Sequence, residues 1–173
     1  MDQRLNWIFS RRSIRKYTDQ PVEKDKVRTL LEAAMAAPSA GNRQPWHFVV
    51  ITDRTALNAL GSVHPWAAML TEAPLCIAVC GEPASSKAEA FWVQDCSAAM
   101  ENLLLAAVCL DLGAVWLGIY PAEKPVRTVR DLLNIPSNIT PLGLAVVGYP
   151  AEDKPANTRF DQSKVHSEQF ESP

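Results

Sequence analysis

Between Phe91 and Leu112 the sequence reads as one long helix, apolar almost all round and stopped at Gly113. A helix with so little polar surface belongs at the centre of a fold, with other elements packed on it. The longest apolar stretch within it, Cys96 to Leu112, is broken by Glu101, Asn102 and Asp111, which suits a buried helix and not a membrane span. On either side lie short β-branched and apolar runs. Trp46 to Thr52 is aromatic and β-branched, and Pro74 to Cys80 is apolar at every position, as in a strand covered on both faces. Ala114 to Ile119 and Leu142 to Gly148 complete the predicted strands. Helical spacing predicts a short helix around Leu5, Ile8 and Phe9, then helices over Glu23–Ala37, Thr55–Gly61 and Lys124–Leu133. The intermixed order, with connections awkward for strict βαβ alternation, predicts an α+β fold with a mixed central sheet and helices on both faces.

No repeat or linker divides the 173 residues, so one domain spanning 1–173 is expected. From Tyr149 onward the chain is polar and aperiodic; such a tail must dock on something or stay mobile. A net charge of −2 argues against nucleic acid or an anionic membrane as partner, although Arg11, Arg12, Arg15 and Lys16 crowd into six positions. The segment MDQRLNWIFSRRS lacks the apolar core of a signal peptide, and a cytoplasmic protein is expected. Cys76, Cys80, Cys96 and Cys109 all sit in apolar runs without a C-x-x-C pair, and read as buried small hydrophobes.

Three segments have chemistry to offer. Arg11-Arg12-Ser13-Ile14-Arg15 puts three guanidiniums and a hydroxyl within five residues, enough to neutralise a phosphate dianion. The ordinary alternative is a solvated charge run complementing a helix C-terminus. Ala37-Pro38-Ser39-Ala40-Gly41-Asn42-Arg43-Gln44-Pro45-Trp46 has an irregular backbone carrying the amides of Asn42 and Gln44, which suit ribityl hydroxyls and a pyrimidine edge. Its alternative is a plain helix–strand loop. In Ala114 to Ile119, Gly118 at a strand end admits a flat ring against the backbone, or is merely a tolerated glycine. His47 reads as structural, and His64 and His166 fall in loops. Asp95 and Glu101 on the long helix are candidate partners for arginines, without a catalytic role. Neither G-x-S-x-G, H-E-x-x-H nor G-x-G-x-x-G occurs, so a bound phosphate would have to be held by side chains.

Taken together, R-R-S-x-R, then A-P-S-A-G-N-x-Q-P-W, then W-L-G after a long central helix resemble the nitroreductase family of flavoenzymes, over Arg11 to about Arg159 and in its compact form. The resemblance implies an obligate homodimer with flavin mononucleotide (FMN) at the subunit interface and NADH or NADPH as reductant. It assigns Arg11, Arg12, Ser13 and Arg15 to the FMN phosphate and ribityl chain. Pro38, Ser39, Ala40 and Asn42, with Gln44 in the same motif, fall in the loop that the partner subunit places against the flavin. Leu117, Gly118 and Ile119 match the backbone run beside flavin N5 and O4, and Arg159 a further phosphate ligand. Asn157 stands where longer members carry a lysine, which implies fewer cations on the phosphate. The group facing flavin N1 and O2 is unassigned, Arg15 being the first candidate.

The activity implied is a two-step exchange, with reduction by a nicotinamide followed by transfer to a nitroaromatic, quinone or similar acceptor, and with no metal. A flavin sensor or store, a reductive dehalogenase or flavin-modifying relative, and a dimer binding another anion are the alternatives. The apolar central helix and the polar tail predict a dimer in which the tail crosses to the partner. Among five tryptophans, Trp7 and Trp46 are expected buried and Trp116 behind the flavin. Trp66 and Trp92 either line the acceptor pocket, around His64–Trp66 and Ala88–Trp92, or close the core beneath loops.

Overall fold

The computed structural model describes residues 3–83 and 91–170. Five helices and four strands form at the sites the periodicity marks out: α1 Asn6–Ser10, α2 Lys24–Met35, β1 Trp46–Ile51, α3 Arg54–Leu60, β2 Leu75–Gly81, α4 Trp92–Cys109, β3 Gly113–Gly118, α5 Glu123–Leu133 and β4 Thr140–Gly148. The sheet runs β1-β2-β4-β3. Every neighbouring pair in it is antiparallel, which corrects the expectation of a mixed sheet. Parallel pairing is confined to one bridge, Ser13 to Ala114, on the outer edge of β3.

Period-two alternation sends successive side chains to opposite faces, and each face has its own helical cover. Cys76, Ala78, Cys80, Val115, Leu117, Leu144 and Val146 face α3, the turn Ala68–Thr71 and α5. Leu75, Ile77, Val79, Ala114, Ala145 and Val147 face α2 and α4. Both sheet faces are thus buried, as the unbroken apolar reading of β2 requires. α4 is wedged between the sheet and α2, burying Cys96, Ala99, Met100, Leu103 and Ala107.

Three cysteines are buried, and burial pushes the Cys80 and Cys96 thiols up to about 12 and Cys76 further. Cys109 is exposed, because α4 ends there and its last turn turns one side to solvent. Trp7 is also more open than expected, 37% exposed, because α1 lies on the outside of the fold. Its indole N–H donates to the Arg4 carbonyl.

The first part of the polar tail docks on its own chain. Thr18 N–H donates to Tyr149 O, Ala151 N–H to Lys16 O and Asn157 N–H to Phe9 O, so 149–157 run antiparallel along 9–18. Tyr17 fastens the 9–18 segment to the sheet, its hydroxyl lying 2.5 Å from the Ile14 carbonyl oxygen and 3.1 Å from that of Val146. Past Arg159 the side chains of Phe160 and Phe170 are 78% and 80% exposed.

Candidate functional site

The Arg11–Arg15 segment leaves α1 extended and lies against the outer edge of β3, where Ile14 N–H donates to Ala114 O at 3.0 Å. Gly113 permits this approach, since a Cβ there would stand 2.7 Å from the Ile14 side chain. The 149–157 strap then closes the other side. The result is a cavity of about 270 Å³ lined by Arg11, Arg12, Ser13, Arg15, Lys154 and Arg159. All four sequence-assigned residues of the first motif, and Arg159 from the far end of the chain, meet there.

Each wall of this cavity is pinned separately. Arg11 Nε lies 3.5 Å from Glu101 Oε1 on α4. Arg12 donates to the Pro155 carbonyl in the strap. Glu152 accepts the Arg15 backbone N–H at 2.6 Å and pairs with Lys154 Nζ at 3.0 Å. Those two donors hold the Glu152 carboxyl below the usual carboxylate range. Lys154 also donates to Ser13 O at 2.7 Å. Lys154 was not assigned from sequence; three residues before Asn157, it brings to the cavity the extra cation that the asparagine withholds. Five cations thus meet two carboxylates, Glu101 and Glu152, a surplus suited to a doubly charged anion. Arg15 lines this same cavity, its guanidinium 3.5 Å from Ser13 O.

The strand assigned to the flavin ring starts at the same place. Ala114 O points outward to Ile14, so by alternation Trp116 and Gly118 also aim their N–H and C=O groups at the open edge. Leu117 and Ile119 face β4, and Ile119 N–H already donates to Leu142 O at 3.1 Å. Of the three residues expected beside N5 and O4, Gly118 alone therefore has its N–H on the open edge. Gly118 is exposed and a Cβ placed on it would meet nothing within 4 Å. Gly143, on the adjoining strand, is filled instead, with the Trp116 indole 2.4 Å from where its Cβ would be.

The Pro38–Gln44 loop is a tight turn leading into β1, the edge strand across the sheet from β3. Gly41, Asn42 and Gln44 have φ of 61°, 54° and 52°, in the left-handed region. Hydrogen bonds within the turn hold them: Asn42 N–H to Ser39 O, Gln44 N–H to Ser39 Oγ and Gln44 Nε2 to Asn42 Oδ1. The two amides thus spend one donor and one acceptor on each other, leaving Asn42 a donor and Gln44 an acceptor. Ala40 N–H donates to Asp95 Oδ1 on α4 at 2.9 Å. Asp95 therefore anchors backbone, whereas Glu101 does pair with an arginine. Pro38, Ser39, Ala40, Asn42 and Gln44 come together, but none of them lines the arginine-cluster cavity of their own chain.

Of the two tryptophans proposed for the acceptor pocket, Trp92 is in the core. It is 7% exposed, lies over Gly81, and meets Tyr120 edge to face at 4.9 Å. The helix begins at Trp92 and turns its side chain inward, so of that pair it is Tyr120, 41% exposed, that faces solvent. Trp66 stands 74% exposed in a loop where its N–H donates to His64 Nδ1. Ala88 to Ala90, expected near the same pocket, lie outside the described residues.

The nitroreductase family model matches residues 8–64 and 61–149. The chain belongs to the nitroreductase family. It is 45% identical, over 98% of its length and 100% of the relative's, to an Archaeoglobus fulgidus protein provisionally named an NADH dehydrogenase/NAD(P)H nitroreductase. A crystal structure of a protein of that same provisional name from Parabacteroides distasonis superposes with a TM-score of 0.93 at 42% identity, covering 98% of this chain and 100% of that one. A Desulfovibrio desulfuricans relative, provisionally a nitroreductase and solved in complex with FMN, superposes with a TM-score of 0.84 at 32% identity over 99% of both chains. Among the described residues of this family member, no helix is long and apolar enough to cross a membrane.

Proposed function

We propose that this nitroreductase-family protein is a homodimeric, cytoplasmic, FMN-dependent oxidoreductase that passes reducing equivalents from NADH or NADPH to a small oxidised organic acceptor such as a nitroaromatic or quinone. One observation carries the reading. The open edge of β3 has a cation-lined cavity at Ala114 and an empty, N–H-bearing glycine four residues on, about 13 Å away at ~3.3 Å per residue. A molecule with a phosphate at one end and a flat ring at the other fits that layout.

In this reading Arg11, Arg12, Arg15, Lys154 and Arg159 neutralise the phosphate, with Ser13 beside them. Gly118 N–H donates at the ring edge, and its missing side chain lets the ring approach. The Asn42 donor and Gln44 acceptor suit the pyrimidine edge, presented by the partner's turn, since one chain does not bring its own turn to its own cation cavity. FMN supplies the hydride chemistry when bound, while the chain supplies orientation, charge compensation and solvent exclusion. Trp66 remains a candidate for the pocket wall.

Dimerisation is supported by apolar surface that one chain leaves open: Leu5, Trp7 and Ile8 at the N-terminus, and Phe160, Val165 and Phe170 in the tail past Arg159. The chain is one FMN-binding domain whose last residues cross to the partner, with an interface of about 2,000–5,000 Å². Absorbance of the purified protein and anaerobic stopped-flow mixing with NADH and NADPH test the activity. A flavin spectrum bleached within seconds, then restored by a nitroaromatic or quinone, is expected. Bound flavin that neither nicotinamide bleaches would mean a store or sensor, and colourless protein that rejects added FMN would overturn the reading altogether. A stable monomer in sedimentation that retains FMN would remove the dimer.

A further inference from the structure

Asp95 stands out chemically as the charged side chain that this fold buries; at 8% exposure it is the sole member of that class among the described residues. A buried carboxylate is costly without compensating donors, and in the absence of a cation its partner here is a backbone N–H, that of Ala40 at 2.9 Å. Its place in the first turn of α4 lowers the cost, because the helix N-terminus favours negative charge. What it grips is the most constrained backbone in the molecule. Immediately after Ala40 come Gly41, Asn42 and Gln44, all left-handed, two of them not glycine. Strain of this kind persists only where the surroundings over-determine it. The turn's other hydrogen bonds run within itself, from Asn42 to Ser39, Gln44 to Ser39 and Gln44 to Asn42. They fix its shape and not its placement on the body. Placement falls to Asp95, on a helix that six residues later, about 9 Å along, also holds Arg11 through Glu101.

We propose that Asp95 is a positioning residue for the flavin site: by accepting the Ala40 N–H it sets the 39–44 turn where the Asn42 and Gln44 amides meet the cofactor, without touching the cofactor itself. The inference rests on the reading that this turn faces FMN. Three full-length variants test it by FMN affinity from fluorescence quenching, visible circular dichroism of bound flavin, and melting temperature. Asp95→Ala removes the acceptor and should raise the FMN Kd tenfold or more and alter the visible dichroism. Asp95→Asn keeps an acceptor oxygen in place and should restore both to within about threefold of wild type. Ala40→Pro deletes the donor while leaving Asp95 intact, at the first position of a turn that follows an extended Ser39 and so accepts proline. It should reproduce the Asp95→Ala dichroism even if Asp95→Ala itself folds poorly. Unchanged Kd and dichroism in Asp95→Ala and Ala40→Pro, with only the melting temperature lowered, would overturn the proposal. A wild-type protein that takes up no FMN would instead fell the functional reading on which it stands.

Discussion

The two ends of the proposed cofactor site are built on opposite plans. At the phosphate end the structure accumulates: five cations from distant parts of the chain, four of them tied by a carboxylate or carbonyl contact. At the ring end it withholds, with an empty glycine, an outward N–H and a rigid turn whose amides are half spent on each other. Charge can be shared among neighbours, so the first end should tolerate the loss of any one member. Space cannot be shared, and the second end should not tolerate filling.

The sharpest test of that contrast removes the phosphate end from the ligand. Riboflavin should bind at least a hundredfold more weakly than FMN, since two or more charge-assisted bonds of about 1.5–3 kcal/mol each go with the phosphate. Equal affinities in a fluorescence titration would show that the cations serve something else. Gly118→Val should come next, weakening FMN about 10–100-fold, the range that overpacking by 1–3 kcal/mol produces. Because nothing lies within 4 Å of that Cβ, the apoprotein melting temperature should stay put. Gly143→Ala, driven into Trp116 and the Leu117 carbonyl, should do the reverse and lower the melting temperature first. If Gly118→Val melts early and binds normally, the ring is elsewhere.

Smaller still is Arg159→Ala, about tenfold on FMN and little on stability, because among the described residues no hydrogen bond or ion pair ties that side chain to the fold, and four other cations remain. A hundredfold loss would mean that the cluster is not redundant. The least effect should come from pH. Glu152 is held low, so the stability it lends is present above the unfolded carboxylate value and is lost only as pH falls through the depressed one, below the ordinary carboxylate range. Its clamp on Arg15 and Lys154 is therefore intact at pH 5.5, where the phosphate, with a second pKa near ~6, has lost part of its charge. FMN affinity should fall by about threefold from pH 7.5 to 5.5, and the apoprotein melting temperature should not follow it.

The same contrast governs what could be read from sequence. Helices and strands were legible because apolar periodicity reports burial directly, as in the unbroken run of β2. The arginine motif was legible because its charges are adjacent in the chain. Lys154 was not: it sits in an aperiodic segment, and only the strap against 9–18 brings it to Ser13. Asp95 was visible as a charge in an apolar helix, but its partner is a backbone N–H, which no residue type announces. Which N–H of the Leu117–Ile119 run faces the open edge was not legible, since that depends on how β3 pairs. Core and pocket could not be told apart for Trp92, because the long helix is apolar nearly all round and its sequence does not say which side faces the sheet. The direction of the sheet likewise depended on long-range pairing, and the intermixed order of elements did not disclose it.

The strap has a consequence for the order of events during synthesis. By Gly148 a growing chain holds every strand and helix of the sheet layer, yet of the phosphate cavity it has only Arg11, Arg12, Ser13 and Arg15. The cavity closes when Lys154 and Arg159, which follow every strand of the sheet in the chain, fold back over the Arg11–Arg15 segment, which precedes them all. In the proposed reading, the sheet forms ahead of its cofactor, and loading waits for the strap. A chain halted after Tyr149 should therefore assemble the sheet and remain colourless in the presence of FMN.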